Sequence, residues 1–201
     1  MKNLITILSC LFLMIYFTSC NQKPSTEMIN KENSIEENSI SFDSQIEWGE
    51  HLVTLSDCNA CHTPKIMTDK GPAFDTSRLL SGHPADMPLI DIDRKEIESK
   101  GLVVAKDLTE WVGPWGVSFA ANLTPDDTGI GNWSEEQFIL AMREGKYKGL
   151  SGSRSLLPPM PWEMYRHMTD NEIKAVFAYL KSIKPVSNIV PPPLPPTSNE
   201  N

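Results

Sequence analysis

Five consecutive residues, Cys58-Asn59-Ala60-Cys61-His62, carry the chemistry of this chain. Two thiols three positions apart near a helix end lie roughly on one face. Sulfurs so placed can add to the two vinyl groups of one haem, and the adjoining His62 imidazole can then reach the iron as proximal ligand. The spacing follows from geometry: thioethers hold the porphyrin edge, and the next residue must point at its centre. Other chemistry uses the same spacing. A thioredoxin-like redox pair wants a βαβ setting that is absent here. A zinc site needs four ligands, and no second cysteine pair exists. A chance pentapeptide is the remaining alternative. Signs of export favour haem, because haem attachment occurs outside the cytoplasmic membrane.

Those signs lie in the first twenty residues. Lys2 is followed by an almost wholly apolar stretch, residues 4–17, then by small residues and Cys20. The run is short for a permanent membrane span and reads as a secretory signal. Phe17-Thr18-Ser19-Cys20 resembles a bacterial lipoprotein processing site, with Phe17 where Leu is usual. Cleavage there would leave Cys20 as the first residue, carrying lipid that anchors the protein to a membrane; plain secretion with cleavage nearby is the alternative. Of four cysteines, Cys10 leaves with the signal and Cys20 takes lipid, so one pair remains and there is no disulfide framework. With 26 Asp and Glu against 18 Lys and Arg, the chain lacks the clustered cations that nucleic acid binding needs.

A haem iron held by His62 takes a sixth ligand. Met28, Met67, Met87, Met160, Met164, Met168, His51, His83 and His167 are available. Met160 is the best placed, in Leu156-Leu157-Pro158-Pro159-Met160-Pro161-Trp162. A thioether is a weak iron ligand, and flanking prolines lower the entropy lost in holding it. Trp162 can pack on the haem edge, whereas Met164 and Met168 are expected to pack at the start of the last helix. His83, in Leu80-Ser81-Gly82-His83-Pro84, is the main rival ligand. Arg143, Lys146, Tyr147 and Arg154 are either partners for haem propionates or solvated surface groups.

Three helices can position these groups. Ser44 with Glu47, Ser134 with Gln137 and Thr169 with Glu172 have capping-box spacing. Gly145 stops the second helix and Pro185 closes the third. Residues 63–130, rich in Gly, Pro and Asp, read mostly as loop, with a short helix near 93–100 and no convincing strand alternation. Trp111 and Trp115 lie in this long insertion, which is expected to wrap the haem. The expected fold is all-α. The chain divides into a signal at 1–20, a flexible polar tether at 21–42, the folded domain at 43–190 and a disordered proline-rich tail at 191–201.

Over residues 43–190 the chain resembles a class I cytochrome c, in which N- and C-terminal helices cross around one covalent haem. In that family a glycine on the first helix admits an aromatic of the last; Gly49 with Val176 and Tyr179 match. Asn122-Leu123-Thr124-Pro125-Asp126, Thr128-Gly129-Ile130-Gly131, Trp133-Ser134 and the Met160 segment resemble bacterial cytochromes that accompany periplasmic dehydrogenases, including cytochrome subunits of molybdenum hydroxylases. Such cytochromes often carry two or three haems; this chain has one attachment motif. The resemblance implies one haem c with His62 and Met160 on the iron. It implies an electron carrier rather than an enzyme, exported and tethered on the periplasmic side. Its redox partners would be a dehydrogenase, a terminal oxidase, or both. The alternative is a peroxidase-like enzyme or sensor whose sixth site opens.

Overall fold

The computed structural model describes residues 41–197, so the signal, Cys20, Met28, nearly all of the tether and the last four residues lie outside the described part. The compact unit begins at Phe42. Helix α1 spans Gln45–Leu55. Ser44 caps it by accepting from the Glu47 N–H, and the Glu47 carboxylate reaches one residue beyond a capping box, to the N–H of Asp43. Helix α2, Cys58–His62, follows a left-handed Asp57. Helix α3, Arg94–Ser99, starts at Asp93, whose side chain accepts from the Glu96 N–H. Helix α4, Glu135–Glu144, and helix α6, Asp170–Ser182, open with complete capping boxes at Ser134 and Thr169. Between them lies the one-turn helix α5, Trp162–Tyr165.

The apolar faces of α1, α4 and α6 form the core: Val53, Phe138, Met142, Ile173, Val176, Phe177 and Leu180 pack with Leu80 and Ile130. Helices α1 and α6 cross at Gly49. A Cβ there would lie inside the Ala175 carbonyl and 2.8 Å from the Tyr179 Cβ. The glycine thus admits backbone as well as the aromatic, and Val176 packs in the same core cluster as Val53 of α1.

The expected all-α class is corrected by the insertion. The described residues are 36% helical and 14% strand, with two antiparallel sheets among them. Strands β1, Lys65–Thr68, and β2, Gly71–Phe74, form a hairpin. Strands β3, Val104–Lys106, β4, Glu110–Gly113, and β5, Gly116–Phe119, form a three-stranded meander with β4 central. None of these strands exceeds four residues, and β4 is buried at every position, so no alternation marks it. The β3–β4 turn puts Asp107 and Leu108 at φ 57° and 52°, a hairpin conformation that ordinarily selects Gly or Asn.

The expectation of a disordered tail over 191–201 is corrected for its described part. Leu194 exchanges two backbone hydrogen bonds with Val117 at 2.9 and 3.0 Å, adding an edge contact to β5. Arg94 donates to the Pro195 carbonyl, and the Thr197 N–H and hydroxyl both donate to Glu98. Upstream, the Asn188 amide donates to the carbonyls of Ser81 and His83 and accepts from the Ala85 N–H. The polypeptide after α6 is therefore a strap across the insertion, and its prolines suit an extended edge that donates few hydrogen bonds.

Gly49→Ala should cost about 3 kcal/mol through overpacking at the α1–α6 crossing, read as a lowered denaturant midpoint. A pH dependence is expected at the strap. Burial raises the Glu98 carboxyl, but the hydrogen bonds from Thr197 and Arg94 outweigh it and hold its pKa below the usual value. A group depressed in the folded state stabilises above its unfolded pKa and loses that contribution as pH falls through the folded value. Amide-exchange protection at Leu194 and Thr197 should therefore fall below about pH 4, and in Glu98→Gln it should fall about tenfold at neutral pH.

Candidate functional site

Helix α2 is only five residues long, and its placement depends on bonds to other segments. Thr63, just past its end, donates to the Asn59 side chain at 2.7 Å and accepts from the Leu80 N–H at 2.9 Å. The His62 carbonyl accepts from the Gly82 N–H at 2.8 Å. The Lys65 ammonium donates to the Ala60 carbonyl. On the other side, the Tyr165 hydroxyl of α5 donates to the Ser56 carbonyl at 2.8 Å. The α2 turn is thereby held between the insertion and the segment that leads into α6.

Within that turn Cys58 and Cys61 are both free thiols, each partly buried, and Cys58 packs against the core. His62 is buried, and its Nδ1 lies 2.8 Å from the Ala121 carbonyl. A carbonyl only accepts, so Nδ1 carries the proton and Nε2 keeps its lone pair. An imidazole so oriented is prepared to bind a metal through Nε2.

The electrostatics have one dominant cause. Burial pushes the Cys58 thiol up to about 11 and raises Cys61 as well. Burial also lowers His62, against the opposing effect of its bond to Ala121. Both thiols and the imidazole are then neutral near pH 7. A redox-active cysteine needs a depressed pKa, and burial of these thiols acts in the opposite direction. Among the described residues no group of three or more His, Cys, Asp or Glu side chains is arranged to hold a metal ion. Two free thiols beside one neutral, oriented imidazole do fit covalent haem attachment.

Met160 is half-buried and packs against the same core cluster as Cys58. Its loop turns on a bond from the Met160 N–H to the Leu157 carbonyl. The Trp162 indole lies on Gly145, where a Cβ would run into the ring. Among the other sixth-ligand candidates, Met67 and Met164 are exposed at 79% and 69%. Met164 thus does not pack at the start of α6 as expected, whereas Met168 does touch the core. His83 is buried, with Nδ1 2.9 Å from the Thr109 hydroxyl and its ring against Phe119; among the described residues Nε2 has no protein partner. Arg143 is committed elsewhere: it donates to the carbonyls of Arg166 and Met168 and pairs with Asp170.

Residues missed by sequence reasoning are Ala121 and Ser118. Ser118, on β5, donates to the Pro158 carbonyl at 2.6 Å and accepts from the Trp115 indole N–H at 3.0 Å. An alanine carbonyl and one serine carry no motif of their own. The neighbouring Asn122-Leu123-Thr124-Pro125 was the nearest signal.

No family model matches the chain. Among curated proteins, it is 31% identical over 144 residues to an alcohol dehydrogenase (quinone) cytochrome c subunit of Gluconobacter oxydans, covering 71% of this chain and 22% of that protein. It is 29% identical over 143 residues to a fructose dehydrogenase cytochrome subunit of Gluconobacter japonicus, covering 70% and 22%. It is 29% identical over 147 residues to a gluconate 2-dehydrogenase cytochrome c subunit of Pantoea cypripedii, covering 72% and 25%. The chain spans no more than about a quarter of the length of these relatives. Over about 70% of its length the chain is thus similar to curated cytochrome subunits of dehydrogenases.

Proposed function

We propose that this chain carries one covalently bound haem c and works as a one-electron carrier, tethered to a membrane or associated with a dehydrogenase. The observation that carries the reading is the His62 Nδ1–Ala121 carbonyl bond beside two free thiols. It leaves Nε2 of a buried imidazole as the donor nitrogen. Relatives named as dehydrogenase cytochrome subunits support the same function.

In this reading Cys58 and Cys61 would hold the haem through thioethers, and His62 and Met160 would ligate its iron. Bound haem supplies a one-electron ferric–ferrous couple, with potential raised by methionine ligation and by burial. The chain's own part is to hold both axial groups and to keep the surroundings apolar. The α1–α6 crossing would supply the packed frame on which those groups are held. A dehydrogenase is the proposed electron donor and a terminal oxidase the proposed acceptor. The anchor is proposed to be lipid on Cys20, with the domain facing the periplasm. Among the described residues no helix is long and apolar enough to cross a membrane.

Intact mass under denaturing conditions should show one haem per chain; bare apoprotein mass, with haem extractable into acid solvent, would overturn the assignment. Ferric protein should show the iron–thioether charge-transfer band, which a peroxidase-like open site lacks. Met160→Ala should abolish the band and lower the potential by on the order of 0.1 V. Cys20→Ala should move the protein from the membrane to the soluble fraction; retention on membranes would mean a different anchor.

A further inference from the structure

The loop that presents Met160 is short of hydrogen-bond donors. Pro158, Pro159 and Pro161 have no N–H, and the Met160 N–H is already used on the Leu157 carbonyl. Carbonyls of this loop therefore need donors from elsewhere. The Pro158 carbonyl finds one in the Ser118 hydroxyl at 2.6 Å, although 40 positions separate the two residues. The direction of that bond is forced. The Trp115 indole N–H can only donate, and it donates to Ser118 Oγ at 3.0 Å. A carbonyl can only accept, so the single hydroxyl proton of Ser118 must point at Pro158.

The donor at the head of this chain is itself fixed. The Trp115 ring lies on Gly113, where a Cβ would come within 2.6 Å of it. Gly113 and Gly116 pair across the β4–β5 turn, so the turn and the indole form one unit. Ser118 is buried, at 5% exposure, where water offers little competition. Linked donors of this kind polarise one another and strengthen the last bond. Three residues further on, Ala121 accepts from His62. Residues 118–121 thus touch the supports of both proposed axial positions.

We propose that Trp115 and Ser118 are positioning residues that hold the Met160 loop closed through the Trp115–Ser118–Pro158 hydrogen-bond relay. This rests on the assignment of Met160 to the iron. The relay does not touch the iron. It acts by restricting how far the proline-framed loop can swing, and so by keeping a weak thioether donor in place against competing ligands.

The test is an imidazole titration of the ferric holoprotein, followed by the thioether charge-transfer band, with denaturant midpoints measured in parallel. Ser118→Ala removes the donor to Pro158 and strands the Trp115 N–H; apparent imidazole affinity should rise about tenfold and the band should weaken. Ser118→Thr keeps a hydroxyl and should restore both. Trp115→Phe keeps a ring on Gly113 but loses the N–H, and should raise affinity about threefold; it decides the matter should Ser118→Ala fail to fold. If Ser118→Ala and Trp115→Phe bind imidazole like the parent while Met160→Ala loses the band, the relay is overturned and the ligand assignment stands. A lowered denaturant midpoint with unmoved imidazole affinity would likewise overturn it, by making the role purely structural. If Met160→Ala keeps the band, both the ligand assignment and the relay fall.

Discussion

A buried imidazole must have its ring nitrogens accounted for, and at His62 the carbonyl of Ala121 takes the proton on Nδ1. The two residues are 59 positions apart, so the whole insertion between them has to leave and return to the same place. A short ladder secures the return. The N–H of Gly82 bonds the His62 carbonyl, that of His83 bonds Ala120, and that of Leu123 bonds Leu80. Moving Ala121 would strand a buried donor, at a cost of about 1–3 kcal/mol. The insertion is therefore part of the site and not an ornament upon it.

The strap after α6 extends the same constraint. Asn188 uses both ends of its side-chain amide on residues 81–85, and its own N–H bonds the Thr128 hydroxyl. The Val186 N–H bonds the hydroxyl of Thr124, and the Asn122 amide bonds the Val186 carbonyl. Helix α6, which closes the core against α1, is thus continuous with the segment that locks the Ala121 region. Leu194 then closes the edge of β5. An open edge there would offer unpaired backbone groups to other chains.

Burial has opposite effects on acids and bases, and the site uses both. It raises the two thiols and lowers the imidazole, so all three are uncharged around neutral pH. A setting in which burial keeps these three groups neutral suits a bound group whose own charge changes by one electron. Burial works against a thiolate there more strongly than the nearby Lys65 ammonium, which lowers Cys61, favours one.

Much of the helical frame was legible in the chain. Capping pairs at Ser134 and Thr169 and the stop at Gly145 are local rules, because each depends on a few residues near in sequence, whereas the close-approach glycine at Gly49 was legible only through the family resemblance, its partners lying on the last helix. The cysteine pair with His62 is local in the same sense: its chemistry follows from adjacency. The β-sheets were not legible. Their strands have at most four residues, β4 is buried on both faces, and the β3–β4 turn uses Asp107 and Leu108 where glycine would have signalled it. Nor was the strap, because proline-rich composition describes the backbone's conformational preference and says nothing of what it docks on. By itself the sequence determined which atoms are available for chemistry and where the three long helices begin, but not the short helices Cys58–His62 and Trp162–Tyr165. Tertiary structure alone decided that Ala121, Ser118 and Asn188 hold those atoms in place, since a hydrogen bond across 40 to 107 positions depends on the path of the backbone and leaves no local pattern.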